Sequence, residues 1–283
     1  FRDFVKLVSN SAKERGYKTV CLPHGDRPFL NLMETLNDLD FSRIDSKPSV
    51  LDIFDYRVYS NSLCAVRYES SIDSENIKIL GSPRYNEEWL DTILKLLPVY
   101  SHKRTNGKLK IVFFLRNFNW AIFWDEVIRT IKLLLGFPDI YLIVKHHTRS
   151  STVSRLISAY PELGKNKPNL EFVYDDVHSG SLLQWADVVL DLGTSVTFEA
   201  VRIKKPVLAM EYLIANRLTV AHYMKSCEIN CRDDLYNWIT RFIKNGTSDF
   251  YDESERQRFI NDMIDVPDKN VLSRYVDFIS SCF

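Results

Sequence analysis

No Gly-x-Gly-x-x-Gly follows any strand-like run of this 283-residue chain. That absence weakens a dehydrogenase or flavodoxin-like reading, in which clustered glycines let the backbone approach a pyrophosphate. No apolar run approaches the roughly 20 residues that cross a bilayer. Neither sign of charge is in excess, with 37 Lys and Arg against 37 Asp and Glu, so no overall field draws the protein to nucleic acid or to an anionic membrane. Internal repeats and low-complexity tracts are also missing. The five cysteines are odd in number and scattered, which implies reduced thiols and a cytoplasmic setting rather than a disulfide framework. Cys227 and Cys231 lie at a helical spacing, without the second ligand pair that a zinc site needs. The chain starts at Phe1 rather than Met, as expected of a piece of a longer protein. What remains is an ordinary globular composition, 45% hydrophobic and 26% charged, long enough for one large or two modest domains.

From Ile111 onward the hydrophobic pattern alternates between strand and helix. The runs KIVFFLR, IYLIVKHH, LEFVYDD, DVVLDLG and PVLAM read as five buried strands. Between the first two, Trp120, Trp124, Val127, Ile131 and Leu134 recur every three or four residues, an amphipathic helix stopped by Gly136 and Pro138. Helices are also expected over TVSRLISAY, around Leu182 to Ala186, and through Glu199. Apolar strands separated by helices imply an α/β parallel sheet covered on both faces, which binds ligands beyond the carboxyl ends of its strands. The first hundred residues are less regular, with strand candidates in YKTVCLPHGD, YRVYSNSL and IKILGSPRY. Residues 101–108 read as a polar linker, giving domains at 1–100 and 109–283. Beyond Tyr212 the pattern is mainly helical, with LYNWITRFIKN and QRFINDMIDV as amphipathic candidates.

The stretch from Val188 to Met210, VVLDLGTSVTFEAVRIKKPVLAM, is the most informative. Gly193, Thr194 and Ser195 sit where a strand ends and a helix begins. Backbone N–H groups, two hydroxyls and the helix dipole together suit a phosphate there. Glu199 is four residues past Ser195, one too many for a capping box, and so shares its helix face one turn in. It could accept hydrogen bonds from ribose hydroxyls. The plainer alternative makes Ser195 a helix cap and Glu199 a solvated carboxylate. At a second strand end, VKHHTRS supplies Lys145, His146, His147 and Arg149, suited to a diphosphate or sugar acid, or else to a basic surface loop. At a third, FFLRNFNW supplies Arg116 and Asn117.

In this order the motifs resemble the nucleotide-sugar glycosyltransferases of GT-B architecture, in particular the bacterial surface and capsular polysaccharide branch that includes Kdo-transferase-like and CDP-glycerol transferase-like proteins. LPHGD is similar to the histidine-glycine loop of the acceptor-side domain. ILGSPRYNEEW is similar to its closing glycine-arginine strand end, KIVFFLRN to the start of the donor domain, and WADVVLDLGTSVTFEAVRIKKPVLAM to the aspartate, serine-threonine and glutamate-alanine segment. KHHTRS lacks the family's usual proline, so either His146 or His147 matches its histidine. The resemblance implies two Rossmann-like domains facing a cleft, with only the latter part of the first one's sheet present. UDP-N-acetylglucosamine 2-epimerases share this layout.

For the site, the resemblance implies that Thr194 and Ser195 hold the donor phosphate, with Gly193 in the turn, and that Glu199 holds ribose. Lys145, Arg149 and His146 or His147 would stabilise the leaving phosphate, with Arg116 and Asn117 beside them. His24 and Asp26 become candidates for the base that deprotonates the acceptor hydroxyl, against the plainer role of His24 in bracing a turn. Gly25, Gly81, Ser82 and Arg84 fall at the cleft edge, Arg84 either on phosphate or in a surface ion pair. The reaction implied is transfer from a nucleotide-sugar, with a lean to a cytidine-linked donor, onto a glycan or glycolipid acceptor. No metal or other cofactor is expected. The partners are the donor and acceptor, not nucleic acid, and the setting is cytoplasmic with peripheral association at the membrane's inner face. Two other readings stand beside it: epimerisation, for which Asp26, Asp175 and Asp176 could move the proton, and a non-catalytic nucleotide- or glycan-binding module.

Overall fold

The computed structural model describes residues 2–23, 28–30, 53–66, 69, 74–101, 105, 107–116, 121–147, 152–165, 167–174, 176–265 and 270–282. Two compact units are present. One gathers residues 1–26, 40–90 and 257–283; the other gathers 27–39 and 91–256. The mixed α/β class expected from the sequence is the one found, built on two wholly parallel sheets.

The first unit holds helix α1 (Arg2–Glu14), strands β1 (Val20–Cys21) and β2 (Tyr56–Tyr59), helix α2 (Ser62–Val66) and strand β3 (Ile77–Ile79). Its sheet runs β1-β2-β3. The C-terminal helix α11 (Val271–Ser281) returns to this sheet. Its Val271, Tyr275 and Phe278, spaced as one helical stripe, form a core cluster with Val58 and Leu80. Residues 257–283 therefore pack with the first domain, which corrects the expectation that they extend the second. Helix α3 (Glu87–Leu96) carries the chain across the division. Tyr100 lies in the second unit, where its hydroxyl donates to Glu171 at 2.6 Å and its ring meets Trp185 edge-on.

The second unit carries β4 (Leu109–Phe114), α4 (Trp124–Leu135), β5 (Ile140–Lys145), α5 (Thr152–Ala159), β6 (Leu170–Val173), α6 (Ser179–Trp185), β7 (Val188–Asp191), α7 (Val196–Arg202), β8 (Val207–Met210), α8 (Thr219–Tyr223), β9 (Glu228–Ile229), α9 (Arg232–Asn245) and the start of α10 (Glu253–Ile260). All five strands expected here form. Strands β5, β7 and β8 are buried along their whole length, as continuous apolar runs require when helices cover both faces. A sixth strand, β9, adds to the edge; at two residues it is too short to show a period. The order is β6-β5-β4-β7-β8-β9. Counted from β4 this is the 3-2-1-4-5-6 order of a doubly wound sheet, and its direction reverses between β4 and β7. The crevice of such a sheet opens at the carboxyl ends of those two strands.

Candidate functional site

Asp191 ends β7 at the reversal point. It is almost wholly buried, and its Oδ1 accepts the N–H groups of Gly193 and Thr194 at 2.8 and 2.9 Å. This is an Asx-type turn, closed by Gly193 at φ +79°. The two amides expected to cradle a phosphate are thus held by the chain itself. Sequence reasoning gave Asp191 no role, although an aspartate before a glycine in an otherwise apolar run is a turn signal. Burial pushes its carboxyl above the usual range, against the opposing pull of Thr197, the two amides and Arg116.

Arg116 follows β4 across the same reversal point. Its Nη1 donates to the Gly193 carbonyl, and its guanidinium lies 4.3 Å from the centroid of the Phe29 ring. Burial lowers its pKa to about 10, with Asp191 opposing, so it stays charged at neutral pH. The side chain fixes the turn from within instead of presenting itself to a ligand. Phe29 is the part that nothing in the sequence singled out. Its segment is clamped to the chain before α8 by Leu30 N–H to Arg217 O at 3.0 Å and Thr219 N–H to Pro28 O at 2.8 Å. Its ring covers Gly193 so closely that a Cβ there would lie 2.1 Å from Phe29 Cε1.

At the end of β5, Lys145 is buried and its Nζ donates to Tyr174 O at 2.7 Å. It braces the adjoining strand end, as Arg116 braces the turn. His146 and His147 follow, both half-buried. The His146 N–H donates to Val173 O at 3.1 Å and its ring lies 5.5 Å from that of Tyr174. At the start of α7, Thr194 and Ser195 are half-buried. Ser195 makes no side-chain cap, so the plain capping reading fails. The Thr194 hydroxyl is shielded from water and has no partner among the described residues; a buried polar group left so asks for a ligand or an ordered water. Glu199 is buried on α7 rather than solvated.

The remaining expected positions divide. Gly81, at φ +89°, is buried at the end of β3; a Cβ on it would meet Val271 Cγ2 at 2.7 Å. Ser82 is also buried, with its N–H on Ile264 O at 2.7 Å, and Tyr275 donates to the Gly81 carbonyl at 3.0 Å. Both are packed beneath the C-terminal segments of their own unit, so neither forms an open edge there. Arg84 is exposed, with its guanidinium 5.4 Å from the centroid of the Tyr85 ring. His24, Gly25, Asp26, Asn117, Arg149 and Asp175 lie outside the described residues. So does an Asp-x-Asp triplet, Asp38-Leu39-Asp40. Among the described residues no three His, Cys, Asp or Glu side chains are placed to share a metal, and no helix is long and apolar enough to cross a membrane. Cys227 is buried and Cys231 exposed.

No family model matches the chain, and no curated protein does. Solved structures do. MnaA of S. aureus, with UDP bound, is similar over 96% of this chain and 73% of its own, at 14% identity and a TM-score of 0.56. A protein described as a UDP-N-acetylglucosamine 2-epimerase from Listeria monocytogenes is similar over 98% and 70%, at 12% identity and 0.60. Anabaena HepE, in complex with UDP and glucose, is similar over 99% and 76%, at 14% and 0.59, and the wall teichoic acid polymerase TagF over 93% and 67%, at 16% and 0.53. At these identities what is shared is the fold, an α/β fold with parallel sheets of the GT-B-like, Rossmann type.

Proposed function

We propose that the protein transfers a sugar from a nucleotide-activated donor to a surface-glycan acceptor, without a bound metal. The observation that carries this reading is the orphaned Thr194 hydroxyl at the reversal point of a doubly wound sheet, the place where such sheets receive phosphorylated ligands. Beside it Ser195 leaves its hydroxyl uncommitted to the helix end. The donor's phosphate lies against these two hydroxyls, and Glu199, one turn along α7, takes the ribose. His146 or His147, with Arg149, stabilises the charge that grows on the departing phosphate. One such donor is commonly worth roughly 2.7–4 kcal/mol of barrier. Arg116 and Lys145 are positioning residues in this scheme, since both are buried and bonded to carbonyls. His24 or Asp26 takes the acceptor's proton.

A thermal-shift screen with CMP, CDP, UDP and GDP tests the nucleotide site. A cytidine nucleotide is expected to stabilise the chain, given the resemblance to CDP-glycerol transferase-like proteins, and Glu199→Ala is expected to lose most of that response. Equal shifts in the variant with every nucleotide would remove the ribose assignment. The second reading is epimerisation, favoured by the likeness to the Listeria protein. Incubation with UDP-N-acetylglucosamine and no acceptor separates the two, because only an epimerase interconverts the sugar without transfer.

A further inference from the structure

Away from the reversal point, the second unit has a cleft of about 390 Å³ between β9 and α9. One wall is α9, whose Asp234, Asn237, Trp238 and Arg241 recur at i, i+3, i+4 and i+7. That spacing places them on one helix face. The adjacent stripe, Leu235, Ile239 and Phe242, is the one buried in the core. Trp238 packs in part with that core, its ring centroid 5.3 Å from that of Phe242 and 5.0 Å from that of Phe250, but Asn237 and Arg241 are exposed and are not needed to pack the helix. The facing wall supplies Asn230 and the pair Lys225 and Glu228, joined at 2.9 Å.

We infer that this cleft binds an uncharged sugar ring of a glycan. Arg241 lies with its guanidinium 4.7 Å from the centroid of the Trp238 ring, which holds that planar fork of donors in place for neighbouring hydroxyls. Asn230 and Asn237 are exposed and each brings an amide with both donors and an acceptor. Asp234 uses Oδ2 to accept the Asn230 N–H at 3.0 Å, and its other oxygen remains an acceptor for a hydroxyl. Alternating donors and acceptors match a pyranose, which offers hydroxyls around its rim. A phosphate fits poorly. The Lys225 charge is matched by Glu228, and the Arg241 charge is offset by Asp234 on the same helix face, so the lining carries no net positive charge to hold an anion. The volume is of the size of small-ligand sites, roughly 300–1,000 Å³.

Saturation-transfer NMR on the whole chain, with methyl glucoside and N-acetylglucosamine as probes and inorganic phosphate as the anion control, tests the inference. Transfer to the sugars' ring protons is expected, with binding weakened by about tenfold in Arg241→Ala and in Asn237→Ala, the size of losing one good hydrogen-bonding group. Both side chains are exposed, so the fold survives their removal, and the nucleotide response of the same variants stays at its wild-type level. Absence of transfer from both sugars overturns the inference. So does transfer that is unchanged in both variants, displacement of the sugars by phosphate, or loss of the nucleotide response along with the sugar.

Discussion

Gly193→Ala is the sharpest test of how the turn at the reversal point is held. The glycine sits at φ +79°, where an L side chain costs about 1–2 kcal/mol. A Cβ there would lie 2.1 Å from Phe29 Cε1 and 2.6 Å from Cζ, so the ring must leave. Phe29 is 5% exposed and stacked on Arg116. Displacing it forfeits up to roughly 1.5–3 kcal/mol of burial and about 0.5–2 kcal/mol of cation–π attraction. The substitution should therefore cost about 4 kcal/mol. Phe29→Ala alone should cost about 3–5 kcal/mol. Because both changes act through one ring, the double variant should lose only the backbone cost beyond Phe29→Ala. It should then fall short of additivity by about 2 kcal/mol or more. Guanidinium unfolding followed by tryptophan fluorescence measures this, since Trp124, Trp185 and Trp238 belong to the second unit. Additivity within about 0.5 kcal/mol would show that Phe29 and Gly193 do not share a contact, and the account of the turn would fail.

Asp191→Asn keeps the shape of the turn but removes the carboxylate beside the buried Arg116; denaturation should report a loss of about 3–5 kcal/mol, the cost of stranding one buried charge. The nucleotide-induced thermal shift should persist, because the amide oxygen of Asn can still accept the Gly193 and Thr194 N–H groups that Asp191 Oδ1 accepts. Glu253 gives a pH signature. Hydrogen bonds from Arg256 lead the causes that hold its carboxyl at about 2, below the value of about 4.3 in an unfolded chain. A depressed carboxylate contributes stability that is complete above the unfolded value and is lost as pH falls toward the folded one. Melting temperatures of wild type and Glu253→Gln should accordingly differ at pH 6 and converge between about pH 4 and pH 2; a gap unchanged across that window would refute the pairing.

What the sequence disclosed and what it withheld follow from the range of the interactions involved. The five strands of the second unit were legible because a doubly covered parallel strand is apolar at every position, as β5 and β7 are, and that needs no knowledge of the neighbours. The three strands of the first unit carry Arg57 and Lys78 and are only partly buried; they were legible from β-forming residues bounded by turn-forming ones. The return of α11 was not, since Val271, Tyr275 and Phe278 announce a helix with one apolar face but not the sheet it will cover. The same limit governs the site. Thr194, Ser195 and Glu199 could be placed at a strand end because their positions depend on one strand and the helix that follows it. Arg116 and Lys145 were read as ligand-facing because a basic residue at a strand end has no local mark of burial, and their acceptors, Gly193 and Tyr174, are supplied by strands far away in the sequence. Phe29 is the extreme case. It reaches Gly193 across more than a hundred and sixty residues of chain, held by the pairing of Pro28–Leu30 with Arg217–Thr219. A motif can thus specify which groups gather at the reversal point, while the division between groups that hold the turn and groups left for a ligand is set by long-range partners. On that division the Thr194 and Ser195 hydroxyls have no partner that holds the turn among the described residues, so a variant lacking both should lose nucleotide binding while unfolding as wild type does, whereas Arg116→Ala should lose both together.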